Sequence, residues 1–170
     1  MEFKTSRRDI LKAAIALGAE IFVLTNPTIA KADDKIILPK VGCVGLGDKI
    51  LPGGNFSWAE ATKNGTRIPD SEEIVDEIIN AAKFMQEIRS YLGDKPISVT
   101  SWYRDPVSNR NVGGVYNSQH LKGRAVDFAV RGIDSGSVYD TLDEYWGDRG
   151  GLGKYSSFTH IDSRGLKVRW

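Results

Sequence analysis

Apolar residues along the chain follow two rhythms, and each predicts an element. Between Ser71 and Gly93 they fall at Ile74, Ile78, Ala81, Ala82, Met85, Ile88 and Leu92, the spacing of one face of a helix. Ser71, followed by Glu72 and Glu73, is placed to cap its first turn, and Gly93 to stop it. Met85 and Tyr91 belong to its core side. Alternation with β-branched residues predicts strands over residues 96–103, 125–130 and 158–162, with 166–170 a last strand or tail. A second helix is expected over Ser135 to Trp146, capped by Asp134 or Ser135, and a short Ser57-capped one ahead of Asn64-Gly65 and Pro69. Residues 33–54 are glycine-rich and read as an irregular, partly extended lead-in, 109–118 as a turn-rich loop holding Gly113-Gly114, and 150–153 as a further loop. One long helix and several strands without regular alternation predict an α+β fold, a mainly antiparallel sheet flanked by helices.

Length and charge narrow this further. The chain has 170 residues, 41% hydrophobic and 26% charged, enough for one domain. Lys plus Arg number 23 against 22 Asp plus Glu, so no basic field argues for nucleic acid. The single cysteine, Cys43, excludes an internal disulfide framework. It reads as a half-buried bystander, with pairing between chains the alternative. No oligomer is implied, and a monomer is expected.

Residues 1–32 read as an export signal. Ser6-Arg7-Arg8-Asp9-Ile10-Leu11-Lys12 precedes a mildly apolar stretch and Ala30-Lys31-Ala32, which resembles a twin-arginine signal cleaved after Ala32. Glu20 interrupts the apolar stretch, which argues against a retained membrane span. The expected destination is the periplasm or cell-wall space, and the expected mature domain is residues 33–170.

Candidate chemistry concentrates in two places. Both histidines lie near carboxylates, in His120-Leu121-Lys122-Gly123-Arg124-Ala125-Val126-Asp127 and in His160-Ile161-Asp162. Asp127 falls within an apolar strand, where an unpaired carboxylate is costly to desolvate. A divalent metal held by His120, Asp127 and His160 would satisfy it and leave a fourth position for solvent, the pattern of a catalytic zinc site. The alternative is an ion pair from Asp127 to Arg124 or Arg131.

The residues around these groups carry a resemblance. Val99-Thr100-Ser101-Trp102-Tyr103-Arg104-Asp105-Pro106, Ser118-Gln119-His120 through Gly123-Arg124-Ala125 to Asp127, Gly150-Gly151-Leu152-Gly153 with Tyr155, and Phe158 to Asp162 resemble the zinc D-alanyl-D-alanine carboxypeptidase family. These are bacterial wall peptidases that share a fold with hedgehog domains and lysostaphin-type enzymes. The resemblance runs from Phe56 to Trp170. It implies one zinc per chain on His120, Asp127 and His160, and a peptidoglycan peptide as substrate, cut as a carboxypeptidase or as a crosslink endopeptidase. It implies that Arg104 faces a substrate carboxylate or the scissile carbonyl, where the alternative is an ion pair to Asp105 or Asp127. Ser118 and Tyr103 stand as further substrate contacts, with a turn cap the alternative for Ser118.

One departure matters. Ser157 occupies the place of the glutamate base of well-known members, and Phe158 that of a lysostaphin-type histidine. Asp162, two residues from His160 on a strand, is then the candidate general base, the alternative being that it orients His160. The missing base also keeps open a non-catalytic domain that binds wall peptide without cutting it.

Overall fold

The computed structural model describes residues 34–170; the expected export signal lies outside them. No described helix is long and apolar enough to cross a membrane. The chain opens with a hairpin, β1 (Lys35–Leu38) against β2 (Gly42–Gly45), which is the extended part of the expected lead-in. Cys43 is exposed on β2, not half-buried. Next come α1 (Trp58–Ala61), whose Ser57 and Glu60 close a capping box, and α2 (Glu72–Tyr91), with Ser71 accepting from the Ile74 N–H. α2 buries Val75, Ile78, Ala81, Ala82, Phe84, Met85 and Ile88, each worth roughly 1 to 3 kcal/mol of removal from water. Tyr91 departs from expectation: it is exposed and stacks on Tyr145 at 3.9 Å. Its place at the helix's last turn lets the ring lie along the surface.

A five-stranded sheet follows, with strand order β3-β4-β6-β5-β7. Its members are β3 (Ile97–Ser101), β4 (Ala125–Val130), β5 (Gly151–Lys154), β6 (Thr159–Asp162) and β7 (Val168–Arg169). All its pairings are antiparallel except β5 with β7, so the α+β expectation stands. Two helices lie between strands. α3 (Pro106–Asn111) replaces the first part of the expected loop, because Asp105 caps the Ser108 N–H and Pro106 starts the turn without losing a bond. α4 (Ser135–Trp146) has Asp134 as its cap. β5 replaces the second expected loop: its glycines lack the side chains that alternation needs, yet they make the ladder to β6.

The sheet has unlike faces. Val126, Phe128 and Val130 of β4 join Ile78, Met85, Trp102, Leu142 and Trp146 in the core, where Phe84 of α2 meets Trp146 of α4 at 5.1 Å. Residues between them point the other way. In register across the sheet, Ser101 stands opposite Asp127, Asp127 opposite His160, and His160 opposite Gly153. Directly opposed residues share a face, so four strands place one polar row beneath an open cleft.

Candidate metal centre

His120 reaches that row from a 3-10 turn, Gln119–Lys122, leading into β4. Ser118 caps the turn by accepting from the His120 N–H (3.3 Å), and Gly123 closes it in the left-handed conformation. The turn is pinned to the segment that follows β3: the Trp102 indole donates to the Gly123 carbonyl (3.0 Å), and the Arg104 N–H to the His120 carbonyl (3.1 Å).

The proton positions follow from the partners. His120 Nδ1 meets the Trp102 carbonyl at 2.6 Å. A carbonyl only accepts, so Nδ1 carries the proton and, in the neutral ring, Nε2 turns a lone pair toward Asp127 Oδ1, 3.1 Å away. His160 Nε2 faces Asp162 Oδ2 (3.1 Å), which leaves Nδ1 toward the same Asp127 oxygen at 2.7 Å. Ligand atoms of the three buried residues lie within 4.8 Å of one another. Lone pairs converging on one point repel unless a cation lies between them, and two imidazoles with one carboxylate are the donor set of a zinc site with an open position. The residues present therefore fit the metal expected from the sequence.

The electrostatics agree. Burial lowers the His120 pKa against the pull of Asp127, so this ring is neutral. Burial opposes the charge on His160 too, but hydrogen bonds to Asp127 and Asp162 outweigh it and raise its pKa. Burial likewise works against the Asp127 carboxylate, and the two imidazoles hold it below the ordinary range.

Arg104 pairs with this carboxylate from the second oxygen. Its Nη2 donates to Asp127 Oδ2 (2.5 Å) and its Nε to Ser101 Oγ (2.8 Å). Among the described residues Nη1 has no protein acceptor, and Arg104 lines the cleft with both histidines, Ser118, Tyr155 and Arg164. The ion pair and the cleft-facing position are thus both realised. Arg124 instead donates to Gln119 (2.8 Å).

Two expectations need correction. Tyr103 is 2% exposed, belongs to the core and does not line the cleft. The strand ends at Ser101, which turns this ring inward, and burial pushes its hydroxyl pKa up to about 12. Asp162 is 0% exposed and sits on the far side of His160 from Asp127. Its oxygens accept from the Gly151 N–H (3.1 Å), from the Arg164 N–H and from the Arg164 side chain (2.8 and 2.6 Å). A carboxylate sealed in this way has no free lone pair for a substrate water, so the general-base assignment does not fit. The orienting alternative does: Asp162 fixes which nitrogen of His160 is bare.

Sequence reasoning missed Arg164 and the purpose of Gly150 and Gly151. A Cβ at Gly151 would lie 2.4 Å from Asp162 Oδ2, and one at Gly150 1.7 Å from the Asp162 carbonyl oxygen. The adjacent glycines were the signal that a neighbouring chain passes close by. The cleft itself encloses about 830 Å³.

Comparison with known proteins agrees with this geometry. A family model described as Peptidase M15 matches residues 55–162. A curated protein of Streptomyces albus G, "Zinc D-Ala-D-Ala carboxypeptidase", is 33% identical over 81 residues, covering 45% of this chain and 31% of that protein. The chain thus spans about a third of the relative's length.

Proposed function

The chain belongs to the peptidase M15 family, and from that premise we propose that it is a zinc-dependent peptidase acting on peptidoglycan stem or crosslink peptides. One observation carries the proposal: His120 Nε2, His160 Nδ1 and Asp127 Oδ1 converge, buried, in a cleft of about 830 Å³. The name of the Streptomyces relative supports both the metal and the substrate class.

His120, Asp127 and His160 would hold the ion, one per chain. Bound there, zinc supplies a Lewis acid for the scissile carbonyl and lowers the pKa of a water. The remaining work belongs to the chain. The Trp102 carbonyl and Asp162 keep His120 and His160 in the tautomers that aim bare nitrogens inward. Arg104, anchored through Nε and Nη2, presents Nη1 to a substrate carboxylate or carbonyl, a fixed fork suited to either. Ser118, on the cleft wall, offers a hydroxyl to the peptide while it caps the His120 turn. The leader over residues 1–32 supports export to the periplasm or wall space, where this substrate is found.

A second reading has its own support. Asp127 is the sole side-chain carboxylate among the described residues lining the cleft, and it is already paired. A domain that holds wall peptide without cutting it is consistent with that shortage. Digestion of purified sacculi with the zinc-loaded protein separates the two. Release of peptide fragments that stops on chelation, and a His120→Ala variant that has lost both zinc and turnover, establish the peptidase. Sedimentation of the protein with sacculi, with no product under any metal, establishes the binding domain.

A further inference from the structure

Beside the metal-ligand row stand two side chains that the reaction above leaves unused. Tyr155 and Trp170, 41% and 45% exposed, line the cleft together with Arg104, His120, Asp127 and His160. The Trp170 Nε1–H donates to Tyr155 Oη at 2.9 Å. The Trp170 ring stands 5.1 Å from His160.

The place of the indole is built. Trp170 follows β7, with its N–H donating to the Leu152 carbonyl and its own carbonyl accepting from the Lys154 N–H. It therefore lies alongside Gly153, the residue paired with His160. A Cβ at Gly153 would come within 2.6 Å of Trp170 Cε2, so only a glycine there admits the ring. Tyr155 is fixed as firmly. Its ring stacks on Phe158 at 4.4 Å, its N–H donates to the Phe158 carbonyl, and its carbonyl accepts from Ser135 Oγ at 2.6 Å.

The direction of the hydrogen bond decides the chemistry. An indole N–H only donates, so the phenolic oxygen must be the acceptor in this pair and its own proton is not consumed by it. Among the described residues no acceptor takes that proton. A phenolic O–H whose oxygen already accepts a bond, on a residue lining the cleft that holds the metal-ligand cluster, is a donor available to an oxygen there. Accepting the indole bond also polarises the O–H outward.

Resting on the peptidase reading, we propose that the Tyr155 hydroxyl is a catalytic hydrogen-bond donor to the scissile carbonyl oxygen, and that Trp170 is the positioning residue that holds it in that role. No proton leaves the phenol. The bond strengthens as negative charge builds on the carbonyl oxygen during attack by water, and so acts on the transition state more than on bound substrate. Arg104 and Tyr155 then approach the substrate as separate donors.

The test uses the zinc-loaded protein and a stem pentapeptide. Tyr155→Phe keeps the ring and removes the hydroxyl, both the donor and the acceptor of the Trp170 indole N–H. The expected result is a loss of kcat of about 10²-fold, the order found for one such donor, with KM within about twofold and with zinc content and Tm unchanged. A phosphinate analogue of the scissile dipeptide, which carries a tetrahedral oxyanion, should bind this variant weaker by a similar factor in calorimetry. Trp170→Phe, which keeps an aromatic ring but no N–H, should lower kcat by a smaller factor without moving KM. Gly153→Ala should reproduce that loss by displacing the indole. If Tyr155→Phe retains kcat within twofold, or loses affinity for substrate and analogue alike, the assignment is overturned while the peptidase reading stands. Failure of the wild-type protein to cut any wall peptide with zinc overturns both.

Discussion

His160 is the residue through which pH reaches this site. Its pKa is raised above the ordinary 6.5, burial being outweighed by Asp127 and Asp162, whereas that of His120 is lowered. The metal needs the bare Nδ1 of His160, so a proton there competes with it. The sign is unambiguous: a raised pKa means that protonation begins above pH 6.5 and that metal affinity falls as pH drops. Zinc affinity, measured by chelator competition from pH 8 to pH 6, should weaken toward about tenfold per pH unit below the His160 transition. A flat profile would show that His160 is not a ligand.

At the scale of elements, the His120 turn and the glycine strand do what side chains alone cannot. Gly123 ends the turn at φ +76°, and a Cβ there would meet the Ile74 carbonyl oxygen at 2.8 Å and Ile78 Cγ1 at 2.9 Å. Gly123→Ala should therefore destabilise by about 2 kcal/mol or more, through left-handed strain plus a clash with α2. Gly132→Ala, at φ +77° with nothing within 4 Å, carries the strain alone and should cost about 1 kcal/mol. Thermal unfolding of the two variants side by side checks the difference, and equal losses would remove the clash from the account. α2 and α4 were legible because each carries a long periodic pattern behind a cap, and β4 because it is a short apolar run of strand-forming residues. α3 was not, since its six residues bury only Asn109 and leave no apolar period to read. β5 escaped because three of its four residues are Gly-Leu-Gly, whose strand character lies in backbone bonds.

For the molecule as a whole, stability is tied to buried charge. Asp127 and Asp162 titrate below the ordinary carboxylate value of 3.8, each pushed up by burial and pulled further down by its partners, the imidazoles for Asp127 and chiefly Arg164 for Asp162. A folded pKa below the unfolded one stabilises the native state above the unfolded value, and that contribution is lost as pH falls toward the folded one. The metal-free protein should therefore lose urea resistance between about pH 5 and pH 3, beyond what exposed carboxylates produce. A midpoint unchanged over that range would show that these two acids are not held as ion pairs in solution.

From residue order alone came the α+β class, the long helix and its cap, the family resemblance, and the trio His120, Asp127 and His160. The class and the helix follow from local periodicity, and the metal trio from the cost of a lone carboxylate in an apolar strand together with what the motif resemblance implies. Tertiary structure alone decided which face of His160 is bare, that Asp162 lies behind it under Arg164, that Tyr103 is core, and that Trp170 lies on Gly153 against Tyr155. Those outcomes depend on strand register and on which atoms meet across the sheet. Spacing along a chain constrains the side of a strand a residue occupies, but only the packed neighbour determines which of its atoms is left free.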